Sequence, residues 1–228
     1  MRALILDTET TGLSPQQNQA IEVAVVLFDT EFNASVATFA TLIEAESNDA
    51  EHINKIPVSL LKDAMEAGPA WSRVSELVEA ADCIVAHNAS FDRSFTPSHI
   101  AEMRPWVCSL HDIKWPESSS SKQLSSIAIT HGVPVLGAHR ALTDVDILVR
   151  LFQRLGERGI DVGGLLQAAL KARVPKALIQ AVVSFDDKDK AKAAGFRWNA
   201  PVRRWEARMT LEDAKKLPFK TKILEAAE

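Results

Sequence analysis

The chain opens on a run of apolar residues, Ala3–Leu6, that passes directly into the acids of LILDTETTG. A short apolar run closed by polar residues predicts a buried strand over 2–6. AIEVAVVLFD (20–29) and ASVATFATLI (34–43) read as two more strands, and the short DTEFN link between them predicts an antiparallel hairpin. The period then changes. PVSLLKDAME has helical spacing with Pro57 at a first turn, and AWSRVSELVEAA places Trp71, Val74, Leu77 and Val78 on one helical face. CIVAH (83–87) reads as a strand, the segment from Ser90 as a helix, WVCSL (106–110) as a strand, and KQLSSIAITHG as a helix closed by Gly132. WPESSSSKQL is a solvated loop. From about Arg140 to Leu155 a long helix is expected, because Leu148, Leu151, Phe152 and Leu155 recur at helical spacing. Strands first, then helices interleaved with strands, predict an α/β domain with a mixed sheet.

Around GERGIDVGG (156–164) the pattern loosens, which marks a boundary. Beyond it LLQAALKA is helical, AVVSF is a strand, DKDKAKAAG a short helix and RRWEARM a second strand. Thr210 is placed to cap a last helix in TLEDAKKL. The expected division is a first domain over 1–158, a linker and helix over 159–178, and a small α+β module over 179–228.

Composition adds limits. The chain has 228 residues, 46% hydrophobic and 25% charged, as in an ordinary globular protein. Asp7 interrupts the apolar start, so no secretory leader is read there. No window approaches the roughly 18–20 apolar residues of a membrane span, and no membrane partner is expected. Cys83 and Cys108 lie far apart in apolar surroundings, which suits buried thiols in a reducing cytoplasm better than a disulfide. The net charge of −4 conceals an asymmetry: residues 1–170 carry 12 basic against 22 acidic side chains, residues 171–228 carry 14 against 8. In the basic tail Lys190, Lys192, Arg197, Arg203 and Arg204 interleave with Phe196, Trp198 and Trp205. That mixture suits single-stranded nucleic acid through phosphate contact and base stacking. The same aromatics also suit the core of a small module, and both readings stand.

Three acidic segments carry the candidate chemistry. Asp7 and Glu9 lie two apart, so their side chains leave one face of a strand. Paired carboxylates repel unless a cation lies between them, and oxygen ligands of this kind suit Mg²⁺ or Mn²⁺. A solvated strand end would carry the same residues. In AHNASFD, Asp92 falls in the first turn after a strand end, where α/β sheets build sites and where the helix dipole also favours an acid. In HRALTD, His139 precedes the long helix and Asp144 lies inside it, with Asp146 a nearby competitor. A helical separation of five puts residues about 140° apart, so His139 belongs on the entering loop, leaning over the site that Asp144 reaches, or serves as a cap or core residue.

Taken in order, DTETTG, HNASFD and HRALTD resemble the DEDD superfamily of 3′→5′ exonucleases, histidine subclass, with the look of its epsilon-type proofreading and exonuclease X branches. The likeness covers roughly residues 1–155 and fills all five positions of the family pattern. It implies a ribonuclease H-like mixed sheet flanked by helices. It implies that Asp7, Glu9 and Asp144 hold one metal ion, and that Asp7 with Asp92 addresses a second. Two such ions clamp the attacking and leaving oxygens at phosphorus. It implies that His139 is the general base, and that 3′ ends yield nucleoside 5′-monophosphates. Thr10, Thr11, Gly12 and Leu13, together with Asn88 and Phe91, become candidate substrate contacts, with Phe91 also read as core. DTETTGL resembles the DNA-acting branch, so single-stranded DNA is the expected substrate and RNA, in the manner of ribonuclease T, the alternative. Association with a polymerase or repair complex, and a binding protein without catalysis, are the further readings.

Overall fold

The computed structural model describes residues 1–135 and 140–226. His139, expected to be the general base, lies outside the described residues. Two compact units divide the chain, Met1–Ala172 and Arg173–Glu228.

The first unit contains β1 (Arg2–Thr10), β2 (Ala20–Asp29), β3 (Ala34–Leu42), α1 (Glu51–Asn54), α2 (Val58–Leu61), α3 (Ala67–Glu79), β4 (Cys83–Ala86), α4 (Ala89–Phe95), α5 (Ser98–Ala101), β5 (Trp106–Cys108), α6 (Leu124–Thr130), α7 (Ala141–Glu157) and α8 (Val162–Arg173). Its five-stranded sheet has the order β3-β2-β1-β4-β5. β1, β2 and β3 pair antiparallel, whereas β1–β4 and β4–β5 are parallel and need the crossovers that α1–α3 and α4–α5 supply. This is the mixed α/β sheet that the sequence predicts.

Period-two alternation along β1 decides what each side of the sheet receives. Leu4 and Leu6 join Val23, Val25 and Ile84 beneath Trp71, Val74 and Val78 of α3. Ala3 and Ile5 join Ala24, Val26, Phe28 and Val85 beneath Val145, Leu148, Leu151 and Phe152 of α7. Phe28 and Phe152 meet with ring centroids 5.9 Å apart. The segment expected as a linker and helix carries α8, and its Val162, Leu166 and Ala169 bury in that same core.

β1 is longer than the apolar run predicts. Its ladder with β2 continues through Asp7–Ala24, Thr8–Val23 and Glu9–Glu22, because backbone pairing is indifferent to side-chain polarity. The acids therefore lie within the sheet.

The second unit contains β6 (Ala177–Val182), α9 (Lys188–Ala193), β7 (Arg197–Asn199), β8 (Arg204–Met209), α10 (Leu211–Lys215) and β9 (Lys220–Glu225). Its antiparallel sheet has the order β7-β8-β6-β9. Thr210 Oγ1 accepts a hydrogen bond from the Asp213 amide at 3.0 Å, the expected cap. Sequence reading missed β7 and β9, the two edge strands, whose charged and half-exposed residues lack a buried alternation. Among the described residues no helix is long and apolar enough to cross a membrane.

Phe152 is fully buried between α7 and the sheet. Phe152→Ala is expected to destabilise the first unit by about 3–5 kcal/mol, measured by urea denaturation. A loss below about 1 kcal/mol would show that α7 is held elsewhere.

Candidate active site

Residues 3, 5, 7 and 9 of β1 point to one side, and that side is covered by α7. Asp7 and Glu9 therefore extend the row begun by Ala3 and Ile5 past the apolar core. Asp144 enters from α7 on the stripe of Leu148, Leu151 and Leu155, at intervals of four, seven and eleven. Helix phase thus carries Asp144 to the sheet. Asp146, the competitor, instead pairs with Arg150 at 2.7 Å on a half-exposed surface. One carboxylate oxygen from each of Asp7, Glu9 and Asp144 lies within 4.8 Å of the others.

Asp92 reaches the same centre from α4 and is almost fully buried. Its Oδ1 accepts hydrogen bonds from the backbone amide and the hydroxyl of Thr8, both at 3.0 Å. Thr8 stands between the two acids in sequence, so β1 fixes three members of the centre at once.

Charge concentrates here. Burial, then Asp92, Asp144, Glu9 and Glu22, hold the Asp7 carboxyl well above the usual carboxylate range. Burial, then the carboxylates of Glu22, Asp144 and Asp92, push Glu9 up to about 7, against a lowering pull from Arg140. Burial also pushes Asp92 up to about 7, although the Thr8 hydrogen bonds pull the other way. Carboxylates placed this closely are stable together when protonated or when a cation lies among them. Their all-oxygen donor set fits Mg²⁺ or Mn²⁺ and not a soft metal.

Besides Thr8, two supporting residues went unread in the sequence. Glu22 lies opposite Glu9 in the ladder and is buried. Its oxygens accept from Arg140 Nη2 and Nε at 2.9 and 3.0 Å, and from the Ala141 amide at 3.1 Å. β2 thereby anchors the start of α7, in the same first turn that carries Asp144, with a negative charge at the helix N-terminus. The signal was present: an acid inside the apolar run of AIEVAVVLFD requires a partner if the strand is buried. The other is His87, which directly follows β4 and hydrogen-bonds through Nδ1 to Ser109 Oγ at 2.9 Å. Burial, then His111, lower its pKa against a backbone contact at Lys122, and it lines a cavity of about 360 Å³ with Asp7, Gln123, Leu124 and Asp144.

The remaining expected contacts divide. Thr10 and Thr11 are buried, with Thr10 Oγ1 donating to the Gly12 carbonyl at 2.6 Å and Thr11 Oγ1 accepting from the Gln19 amide at 3.1 Å. Their hydroxyls therefore shape the turn. A Cβ on Gly12 would stand 2.6 Å from Asn18 Oδ1, so a side chain there would displace the Asn18 amide that accepts from the Ser14 N–H. Leu13, by contrast, is 82% exposed. Asn88 precedes α4 in the left-handed region at φ 64°, and Phe91 packs on Phe95 with centroids 4.9 Å apart. The tail candidates belong to the second unit: Lys190 pairs with Asp187 at 2.8 Å, Lys192 with Asp189 at 3.2 Å, and Arg204 with Glu206.

These shifts set a pH dependence. Carboxyls that titrate near 4 when unfolded keep their protons up to about 7 at Glu9 and Asp92 in the fold. They favour folding at low pH, and that contribution is lost as pH rises through about 7. In chelator, Tm is expected to fall between about pH 5 and 8, less steeply in Asp92→Asn, and Mg²⁺ should restore it at pH 8. A Tm in chelator that rises over this range in wild type but not in Asp92→Asn contradicts the convergence.

Comparison with known proteins agrees with this geometry. The exonuclease family (RNase_T) matches residues 4–152, and a domain of unknown function (DUF8626) matches residues 177–224. The chain is 29% identical over 158 residues to DNA polymerase III subunit epsilon of Treponema pallidum, covering 64% of this chain and 72% of that one. PolC-type DNA polymerases III are matched over 12% of their length in Staphylococcus haemolyticus, so the chain spans a small part of those relatives. Among solved structures, exonuclease X in complex with 5′ overhanging duplex DNA superposes with a TM-score of 0.56 at 24% identity, over 73% of this chain and 99% of that one. E. coli exonuclease I in complex with a dT13 oligonucleotide gives 0.59 at 18% identity, over 79% and 48%. At these identities the structures speak for the fold. The sheet, the acids at the end of its central strand and the match over residues 4–152 together make this chain a member of the exonuclease family.

Proposed function

We propose that the chain is a metal-dependent 3′→5′ exonuclease that shortens DNA, with single strands as the preferred form. The observation that carries this reading is the convergence of Asp7, Glu9 and Asp144 within 4.8 Å at the end of the central strand. DNA is favoured over RNA because exonuclease X and exonuclease I are each solved with DNA, and because DTETTGL resembles the DNA-acting branch.

In this reading Asp7, Glu9 and Asp144 hold one divalent cation and Asp7 with Asp92 addresses a second, either Mg²⁺ or Mn²⁺. Such ions, when bound, offset the carboxylate charge and stabilise negative charge developing on the phosphoryl oxygens. Thr8 keeps the Asp92 carboxylate directed by holding one of its oxygens. Glu22, acting through Arg140 and Ala141, is a positioning residue for the start of α7. Leu13 offers an exposed apolar surface to the terminal base, and Asn88 and Phe91 flank the approach beside Asp92. His139, assigned on the HRALTD motif alone, takes a proton from the attacking water near neutral pH. Water adds to the terminal phosphorus, the bond from phosphorus to the 3′ oxygen of the preceding nucleotide breaks, and a nucleoside 5′-monophosphate leaves. Asp7→Ala removes a ligand common to both ions and is expected to abolish the reaction.

The test uses 5′-labelled single-stranded DNA, duplex DNA and RNA with Mg²⁺, and Asp7→Ala as control. Stepwise shortening of single-stranded DNA is expected, fastest among the three. His139→Ala should lower turnover by about 10²–10⁴-fold while Mg²⁺ still raises Tm. No shortening of any substrate would sink the enzyme reading, faster RNA cleavage would favour an exoribonuclease, and loss of the Mg²⁺ effect in His139→Ala would exclude the base role.

A further inference from the structure

The second unit carries more aromatic surface than its core uses. Ala177, Ile179, Ala181, Ala191, Phe196 and Ala214 form that core, with Trp205, Met209 and Phe219 packed partly against it. Trp198 and Phe185 lie outside it, 50% and 79% exposed. The reason is positional. Trp198 pairs with Trp205 across β7 and β8, so both indoles leave the same side of the sheet. That side holds the core, but β7 is the edge strand, and Trp198 projects past the last residues that could cover it. The two indoles meet with centroids 5.6 Å apart at 58°. Phe185 joins them from the loop between β6 and α9.

These rings line an open cleft of about 530 Å³ whose other walls include Lys188, Lys192 and Arg203. Lys188 Nζ stands 3.8 Å from the Phe185 ring centroid, and Lys192 Nζ 5.9 Å from that of Trp205. Aromatic faces and three cations thus share one concavity in the basic part of the chain. Lys190, Arg197 and Arg204 do not line it; Arg197 and Arg204 alternate with the indoles and leave the opposite side of the sheet. The grouping departs from the sequence expectation by losing those three and Phe196, which is buried in the core, and by adding Phe185 and Lys188.

We infer that this cleft is a binding site for single-stranded nucleic acid, distinct from the acidic centre of the first unit. Unpaired bases present free π-faces to Trp198 and Phe185, and the adjoining phosphates meet Lys188, Lys192 and Arg203. A duplex hides those faces in its own stack, so the site discriminates against paired strands. The edge position leaves Trp198 open; what marks the cleft is that Phe185 and three cationic side chains are gathered around that same indole.

The full chain in chelator provides the test, because hydrolysis is then absent and the uncompensated acids of the first unit repel phosphate. Anisotropy of a 5′-fluorescein dT12 oligomer is followed against the same label on a hairpin duplex. Stacking is worth about 1–3 kcal/mol per base, so Phe185→Ala with Trp198→Ala should raise Kd for dT12 by about tenfold or more. Phe185→Ala alone should leave Tm unchanged, since that ring is 79% exposed, and Trp198→Ala should lower it only by the loss of the contact with Trp205. Replacing Lys188, Lys192 and Arg203 by Gln should flatten the salt dependence of binding by about two in log–log slope. An unmoved Kd in the aromatic variant overturns the proposal, whether binding is then purely electrostatic or the cleft serves a protein. Equal affinity for the hairpin duplex overturns it too. Because no cleavage is measured, a failure here is separable from a failure of the exonuclease reading.

Discussion

Repulsion among carboxylates at the end of β1 is the constraint on which the first unit depends. Two unit charges 4 Å apart cost about 4 kcal/mol at an effective dielectric of 20, a large part of the roughly 5–15 kcal/mol that holds a domain folded. Asp7, Glu9, Asp92, Asp144 and Glu22 all contribute to this field. The acids do not bring one another together; the apolar cores on the two sides of the sheet do. Leu4 and Leu6 beneath α3, with Ala3 and Ile5 beneath α7, fix β1 so firmly that its polar continuation has nowhere else to go. The concentrated charge then suits a doubly charged partner.

The supporting contacts make the same division of labour visible. Thr8 steadies Asp92 from 84 residues away, and Glu22 steadies Arg140 from 118 residues away. Neither contact adds to the charge-binding group; each removes freedom from an element that does. A cluster of flexible acids would spread apart in solution, whereas these are held at an angle set by neighbouring strands and one helix phase.

How much of this could be read in advance depended on the range of the interaction involved. The mixed sheet was legible because buried strands and the amphipathic α7 leave local patterns. The positions of the acids were legible because each follows an apolar run or falls in the first turn of a helix. Choosing Asp144 over Asp146 needed the phase of α7 against the sheet, which becomes fixed only when Leu148, Leu151 and Leu155 are known to face it. Thr8 and Glu22 were missed since their partners are remote in sequence. The edge strands β7 and β9 were missed since an edge needs no buried face, and so writes no alternation into the chain. The exposure of Trp198 follows from that edge position and was equally hidden.

The ladder between β1 and β2 has one more consequence. Asp7 pairs with Ala24 and Glu9 with Glu22 in a register that also sends Leu4 and Leu6 to the α3 side. Were β1 to slip by one residue during folding, its alternation would invert. Asp7 and Glu9 would then turn towards Val74, Val78 and Ile84, whose apolar side chains offer a carboxylate no donor. The misaligned hairpin is therefore penalised twice, by displaced leucines and by stranded charge. The residues that make the native sheet costly to assemble also proofread its assembly, rejecting the neighbouring register before the helices close over it.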